Sequence, residues 1–165
     1  MKKACVIGWP IGHSRSPLIH NYWLKKYGID AVYEKKAIEP ENVAQFIANL
    51  ASSEFVGCNV TIPHKKPAFR AVAKADEIAR RLGAVNTVYL KDGMVCGTNT
   101  DGEGFIASLR HSHPKLNLRD KTAIIVGAGG AAKAVIGALL DEGVARIGII
   151  NRTRETIIRS EEHTS

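Results

Sequence analysis

Cysteine is scarce in this sequence, and long hydrophobic runs are missing from it. The three cysteines (Cys5, Cys58 and Cys96) are far apart and show neither a Cys-x-x-Cys pair nor metal-site spacing, so we expect reduced core thiols and no metal centre. No apolar run approaches the ~18 residues of a membrane span. The start Met1-Lys2-Lys3 leads into a strand-like run without the features of a signal peptide. We therefore expect a cytoplasmic protein with no membrane partner.

Blocks of like charge are also missing, although the net charge is high. The 165 residues include 23 Lys and Arg against 16 Asp and Glu, a formal charge of +7, and this excess indicates an anionic partner. The basic residues are scattered and no nucleic-acid-binding motif is recognisable. A small molecule that carries phosphate or carboxylate explains the charge as well as nucleic acid does, so charge alone leaves the partner open.

The regular alternation of apolar and helical patterns predicts an α/β fold. Apolar runs predict strands near 4–7, 32–38, 55–61, 84–90 and 94–97, and helices are predicted to open at Pro17, Pro40 and Lys66, with a further one ending at Leu82. The strand at 32–38 is rather polar, so we expect it near a sheet edge. Asp92-Gly93 predicts a hairpin between the last two strands. We expect an N-terminal αβα domain with a mainly parallel sheet.

Polar side chains follow the predicted strand at 55–60. Pro63 cannot donate to a strand ladder and so ends the strand. Asn59, Thr61 and Lys65 would then lie at the carboxyl end of a strand, where open α/β sheets bind ligands. An amide and a hydroxyl suit a polyol substrate, and a lysine can exchange a proton with a carbonyl or an alcohol. The alternative is a solvated basic loop without a function.

Two predicted helix starts carry side chains that either cap the helix or serve a site. Ser16 before Pro17 is typical of a capped N-terminus. Ser14 lies two residues earlier beside Arg15, and the free N–H groups of a helix start favour an anion, so the serine pair is also a candidate carboxylate site. Asp101 likewise either caps the following helix or belongs to the site.

A different unit begins near residue 121. A strand over 121–126 leads into a glycine loop, a helix that ends at Gly143, and a strand over 146–150. This is the G-x-G-x-x-A dinucleotide fingerprint in a complete βαβ context. The second strand is followed by Asn151, Arg152 and Thr153 instead of an acidic residue, and these groups suit a 2′-phosphate. The predicted cofactor is therefore NADP.

Several blocks of the sequence resemble the shikimate dehydrogenase family, in the family's order. They are residues 6–17 with His20-Asn21, 57–65, 83–87, 97–102, the glycine loop at 127–132, and Asn151-Arg152-Thr153. The resemblance implies the NADPH-dependent, reversible reduction of 3-dehydroshikimate to shikimate in chorismate and aromatic amino-acid biosynthesis. It implies a monomer or homodimer that binds shikimate or 3-dehydroshikimate and no nucleic acid.

The resemblance also implies a role for each matched residue. Ser14 and Ser16 would bind the substrate carboxylate, and Lys65 with Asp101 would form the catalytic pair. The ring hydroxyls would be bound by Asn59, Thr61, Asn86 and Asp101. The cofactor would be bound by Gly127, Ala128, Gly129, Gly130 and Ala131 at the pyrophosphate and by Asn151, Arg152 and Thr153 at the 2′-phosphate.

The family's chain is longer than this one and contains further strands and a C-terminal helical region. We expect residues 1–101 to form the substrate-binding and catalytic domain, 102–120 a connecting helix and linker, 121–158 a partial NADP-binding Rossmann domain, and 159–165 a non-native tail. Two parallel strands and one helix leave an unpaired edge and an uncovered apolar face. We therefore expect this chain by itself to lack dehydrogenase activity.

Three other functions stay open at this point. The first is a related dehydrogenase that prefers quinate, uses NAD, or acts on another small hydroxy acid. The second is a non-catalytic homologue that keeps ligand affinity without turnover. The third is a basic nucleic-acid-binding module, which would bind DNA in a salt-sensitive way and ignore NADP.

Overall fold

The computed structural model describes residues 1–152 of the chain, which divide into two compact units, Met1–Thr98 and a second that begins at Asn99. The strands of the first unit are β1 (Lys2–Gly8), β2 (Ala31–Ala37), β3 (Phe55–Val60), β4 (Lys74–Ala75), β5 (Thr87–Lys91) and β6 (Met94–Thr98), and its helices are α1 (Ser16–Lys26), α2 (Val43–Ala48), α3 (Lys65–Ala71) and α4 (Glu77–Leu82). The second unit contains α5 (Asp101–Ser112), β7 (Thr122–Val126), α6 (Gly130–Asp141) and β8 (Arg146–Ile150).

The first unit is built on one six-stranded sheet with the order β2-β1-β3-β5-β6-β4. β1 pairs in parallel with both β2 and β3, and β4 pairs in parallel with β6. β5 is antiparallel to β3 and to β6. The predicted α/β fold with a mainly parallel sheet is confirmed, and the polar strand β2 lies at the edge as expected.

Apolar side chains cover both faces of this sheet near β1. Because side chains alternate along a strand, Cys5 and Ile7 enter the larger core, which also contains Val43 and Ile47 of α2. Val6 points to the other face, where a smaller cluster also contains Ile11 and Tyr33, with Leu24 of α1 packed against it. Both faces of β1 are therefore removed from water.

The predicted hairpin between β5 and β6 is confirmed. Asp92 and Gly93 both have positive φ, 52° and 76°, which is the backbone of a type I′ turn and matches the twist of the flanking strands. The three cysteines are free and buried, as expected of core thiols. The X–Pro bonds Trp9–Pro10 and Ile62–Pro63 are cis.

The second unit contains a parallel strand pair joined by a helix. β7 and β8 pair in parallel with Thr122 opposite Arg146, and α6 connects them. Ile106 of α5 packs with Leu139 of α6 and with Val144. The helices described up to residue 152 include none that is both long and apolar enough to cross a bilayer.

Candidate active site

The strands that carry the polar residues predicted on the first unit end at one edge of its sheet. Because β5 runs antiparallel to its neighbours, its amino end lies beside the carboxyl ends of β3 and β6. The N–H of Thr61 donates to the carbonyl of Ile7 (3.0 Å), and the N–H of Val60 donates to the carbonyl of Asn86 (2.8 Å). The N–H of Asn86 donates in turn to the carbonyl of Thr98 (3.0 Å). Four strand ends thus form one continuous rim.

Gly8 allows the loop after β1 to lie directly on the loop after β3. A Cβ atom at this position would lie 2.7 Å from Cγ2 of Thr61 and 3.2 Å from the carbonyl oxygen of Ile62. The N–H of Trp9 donates to that same carbonyl (3.2 Å). A larger residue at position 8 would separate the two loops that carry the predicted substrate-binding residues.

The serine pair lies at the start of α1, half-buried. The two hydroxyl oxygens are 3.3 Å apart, and the N–H of Ser16 donates to Oγ of Ser14 (3.3 Å). The capping alternative for Ser16 is wrong, because Arg15 occupies the N-cap position without a side-chain hydrogen bond. Nζ of Lys35 donates to the carbonyl of Gly12 in the same loop (2.6 Å). The two hydroxyl groups, the helix start and the charges of Arg15 and Lys35 together favour the binding of an anion.

Asn59 is connected to Asn86 by a chain of hydrogen bonds. Its Oδ1 atom lies 2.6 Å from the hydroxyl of Tyr33, and its Nδ2 atom lies 3.2 Å from Oγ1 of Thr87 and 3.5 Å from the carbonyl oxygen of Asn86. Oγ1 of Thr87 is 2.9 Å from Oδ1 of Asn86. The sequence analysis missed Tyr33 and Thr87, because only the strand register brings them to this edge.

Tyr33 is itself held firmly on the edge strand. The side chain of Asn21 brackets its backbone, accepting from the Tyr33 N–H and donating to the Tyr33 carbonyl, both at 2.9 Å. The ring of His20 stacks on the Tyr33 ring with a centroid distance of 4.2 Å. Burial raises the pKa of the Tyr33 hydroxyl well above its ordinary value, so this hydroxyl keeps its proton.

Lys65 is the first residue of α3, and its main chain is fixed on both sides. Its carbonyl accepts the N–H of Val85 (2.9 Å). The preceding residue, His64, is completely buried, with Nε2 2.7 Å from the carbonyl oxygen of Ile38. Since a carbonyl only accepts, Nε2 is the donor in this contact. Among the predicted residues of this unit, Ser14 contacts Ser16 and Asn59 contacts Asn86, while Thr61 and Lys65 follow the end of β3.

Asp101 belongs to the second unit, where it is the first residue of α5. The capping alternative is wrong here too, since Thr100, and not Asp101, occupies the N-cap position. The N–H of Asp101 donates to Oδ1 of Asn99 (3.1 Å). The pairing of Asp101 with Lys65 stays a prediction.

The glycine loop leaves its backbone accessible at the start of α6. Gly127 has a φ of +103°, and Gly129 is the N-cap of the helix without a side-chain cap. A Cβ atom added at either glycine would meet nothing within 4 Å. Gly130 and Ala131 follow in the first turn of the helix. Open space above N–H groups at a helix start fits a pyrophosphate.

Asn151 joins the end of β8 to this loop. Its Oδ1 atom accepts the N–H of Ala128 (3.2 Å), while Arg152 is exposed. Arg152 is the residue after Asn151 in the chain, and a guanidinium can bind a phosphate on the adenosine ribose. Thr153 and the tail at 159–165 lie outside the described residues. Within the described part of the chain, no three side chains of metal-binding type cluster together.

Two family models match the chain in succession. The one described as "Shikimate dehydrogenase substrate binding domain" matches residues 6–88, which is half of the chain. The one described as "Shikimate / quinate 5-dehydrogenase" matches residues 108–161. The first match contains the ends of β1, β3 and β5 that contribute to the rim, and the second contains the glycine loop.

The chain is similar to curated and solved members of the same family. It is 50% identical over 161 residues, 98% of the chain, to the shikimate dehydrogenase (NADP(+)) of Brucella abortus strain S19, of which it covers 54%. A shikimate dehydrogenase solved in complex with NADP+ is 37% identical, with a TM-score of 0.91, and the match covers 99% of this chain and 55% of the solved chain. The Thermus thermophilus shikimate 5-dehydrogenase solved in complex with shikimate is 32% identical, with a TM-score of 0.88, and the match covers 99% of this chain and 61% of the solved chain. The chain thus spans about half the length of the curated relatives it matches.

Proposed function

Because the chain belongs to the shikimate dehydrogenase family, we propose that its protein reduces 3-dehydroshikimate to shikimate reversibly with NADPH, in chorismate and aromatic amino-acid biosynthesis. One observation carries this proposal. Backbone hydrogen bonds join the ends of β1, β3, β5 and β6 into one rim, and the residues that follow or precede these ends include the amides and the lysine that suit a ring-shaped hydroxy acid.

Each group on this rim has a distinct task in substrate binding. Ser14 and Ser16 donate hydrogen bonds to the substrate carboxylate at the start of α1, and the charge of Lys35 adds to the attraction. Asn59, Thr61 and Asn86 bind the ring hydroxyls. Amides and hydroxyls both donate and accept hydrogen bonds, so they can pair with an alcohol group that acts as acceptor or as donor.

Lys65 holds the proton that the reaction needs. A lysine is protonated at neutral pH, so in the reductive direction it can pass a proton to the carbonyl oxygen at C3. NADPH supplies the hydride when it is bound. Asp101 holds the ammonium group in place and orients it before the transfer.

The second unit supplies the cofactor site. The N–H groups around Gly127, Ala128, Gly129, Gly130 and Ala131 bind the pyrophosphate. Asn151, Arg152 and Thr153 bind the 2′-phosphate, which distinguishes NADP from NAD. The open space at Gly127 and Gly129 supports this assignment.

We also propose the division of labour along the chain. Residues 1–101 form the substrate-binding and catalytic domain, 102–120 connect it, and 121–158 form the first part of the NADP-binding domain. The protein acts in the cytoplasm as a monomer or a homodimer.

The test is a spectrophotometric assay of NADP+ reduction by shikimate, using the full-length protein that carries these residues. We expect kcat/KM to be highest for shikimate with NADP+, and lower for quinate or for NAD+. Preference for quinate or NAD+ would identify the related dehydrogenase instead, and ligand binding without turnover would identify a non-catalytic homologue. The 165-residue chain assayed beside it is expected to be inactive.

A further inference from the structure

Tyr33 reaches the candidate site from the far edge of the sheet. It lies on β2, which is separated from β3 by β1. Its partner on β1 is Ala4, while Val6 is the β1 partner of Asn59. The small side chain of Ala4 leaves room for the tyrosine ring to extend across β1, and the hydroxyl ends 2.6 Å from Oδ1 of Asn59.

The chemistry of the partners determines which end of the Asn59 amide faces Tyr33. One end of the amide faces the main-chain carbonyl of Asn86, which only accepts hydrogen bonds, so that end is Nδ2. The opposite end is therefore Oδ1, and Tyr33 must be the donor. Burial keeps the tyrosine hydroxyl protonated by raising its pKa, which suits it to this task.

The next hydrogen bonds, from Asn59 to Thr87 and from Thr87 to Asn86, are donated in the same direction along the series. Nδ2 of Asn59 donates to Oγ1 of Thr87 (3.2 Å), so the Thr87 hydroxyl directs its own proton to Oδ1 of Asn86 (2.9 Å). Asn86 is thereby held with Oδ1 toward Thr87 and Nδ2 on the other end of the amide. Donation runs in one direction, from Tyr33 through Asn59 and Thr87 to Asn86.

We propose that Tyr33 is a positioning residue for the substrate site, whose hydroxyl sets the orientation of the Asn59 amide and, through Thr87, that of Asn86. This inference rests on the proposed function of the rim. Tyr33 is 6% exposed, and Asn21 and His20 fix its backbone and its ring. The hydroxyl therefore has a defined position from which to select one of the two amide orientations.

The experiment replaces Tyr33 by phenylalanine in the full-length protein and measures KM for shikimate, KM for NADP+ and kcat. Tyr33→Phe removes one oxygen atom and keeps the packed ring. We expect KM for shikimate to rise about tenfold, the effect of a lost hydrogen bond that leaves its partner unsatisfied, with KM for NADP+ within about twofold of the wild-type value. A purely structural defect would lower kcat through a smaller active fraction and leave both KM values unchanged.

A double-mutant cycle tests whether Tyr33 acts through Asn59. In an Asn59→Ala background the orientation of that amide no longer exists, so Tyr33→Phe is expected to change KM for shikimate by less than about twofold. Fully independent effects of the two changes would overturn the proposal. Tyr22→Phe is the matched control, because it removes the same atom from a tyrosine of α1 that is 61% exposed, and it is expected to leave all constants unchanged.

Thr87 provides a second, conservative test of the same chain of donors. Thr87→Ser keeps the hydroxyl and is expected to keep KM for shikimate, while Thr87→Val keeps the shape without the hydroxyl and is expected to raise it. Equal KM values for these two variants would overturn the proposal that Thr87 connects Asn59 to Asn86. Failure of Tyr33→Phe to fold would overturn the positioning role in favour of a structural one. Absence of shikimate turnover by the wild-type protein would instead refute the proposed function.

Discussion

The two units use the same kind of parallel βα element but bury it to very different extents. In the first, β1 lies between two strands, and Ile7 is completely buried. In the second, in a chain that spans about half the length of its curated relatives, β7 pairs with β8, and Ile124 and Val126 of β7 are 68% and 82% exposed. An apolar strand becomes a core strand only when elements cover both of its faces. The comparison teaches that strand composition alone does not determine burial.

The candidate sites of the two units differ in the same way. The rim on the first unit consists of side chains that are held by one another, such as Asn59 by Tyr33 and Thr87. The glycine loop on the second unit offers main-chain N–H groups and open space. Substitutions should therefore affect substrate chemistry on the first unit and cofactor choice on the second.

The largest expected effect is on the first unit, at Lys65. Lys65→Ala in the full-length protein removes the proposed proton donor, so kcat should fall by about 10²- to 10⁴-fold, with KM for shikimate changed by less than about threefold. Steady-state kinetics measure both constants. Lys66→Ala, at an exposed neighbour, is the control. A large rise in KM with unchanged kcat would contradict the role of Lys65.

The second unit is expected to respond through the cofactor. Arg152→Gln removes the charge proposed to meet the 2′-phosphate, so KM for NADP+ should rise about tenfold, as for the loss of a charge-assisted hydrogen bond. KM for NAD+ and for shikimate should stay constant. Arg146→Gln, at the exposed start of β8, is the matched control. Equal effects on NADP+ and NAD+ would show that Arg152 does not recognise the phosphate.

The packing difference can be measured with a pair of isoleucines. Ile7→Ala creates a cavity in the buried sheet and should lower the free energy of unfolding by about 2–5 kcal/mol. In the same 165-residue chain, Ile124→Ala, at the exposed face of β7, should change it by less than about 0.5 kcal/mol. Urea denaturation of the two variants provides the values. Similar losses at both positions would mean that the outer face of β7 is covered in solution.

The smallest effect concerns pH and lies in the first unit. Burial lowers the pKa of His20 from its ordinary value of 6.5, so between the two values the unfolded chain binds more protons than the folded one. The contribution of His20 to stability is therefore fully present when the pH is above the ordinary pKa. It decreases as the pH falls below that pKa, and it becomes constant once the pH is below the lowered pKa of the folded state. Thermal unfolding between pH 8 and pH 5 should show a smaller loss of Tm for His20→Phe than for the wild type. Parallel curves would contradict this.

Local sequence patterns predicted most elements because each depends on a few neighbouring residues. Asp92-Gly93 produced the expected hairpin, since both positions require positive φ. The polar composition of β2 correctly predicted an edge strand. The caps were predicted less well, because Ser16 and Asp101 each lie one residue inside their helices, and a sequence pattern does not fix a helix boundary to one residue.

By itself, the sequence determined the α/β class and the family, and it predicted the chemical groups of both candidate sites, because strand and helix periodicities and the glycine fingerprint are local properties of the chain. The tertiary structure decided which groups meet. Tyr33 and Asn59 are distant in the chain and share one hydrogen bond, because the order of strands places β1, with its small Ala4, between them. Strand order arises from pairing between segments that are distant in the chain, and helix and strand periodicities do not encode it.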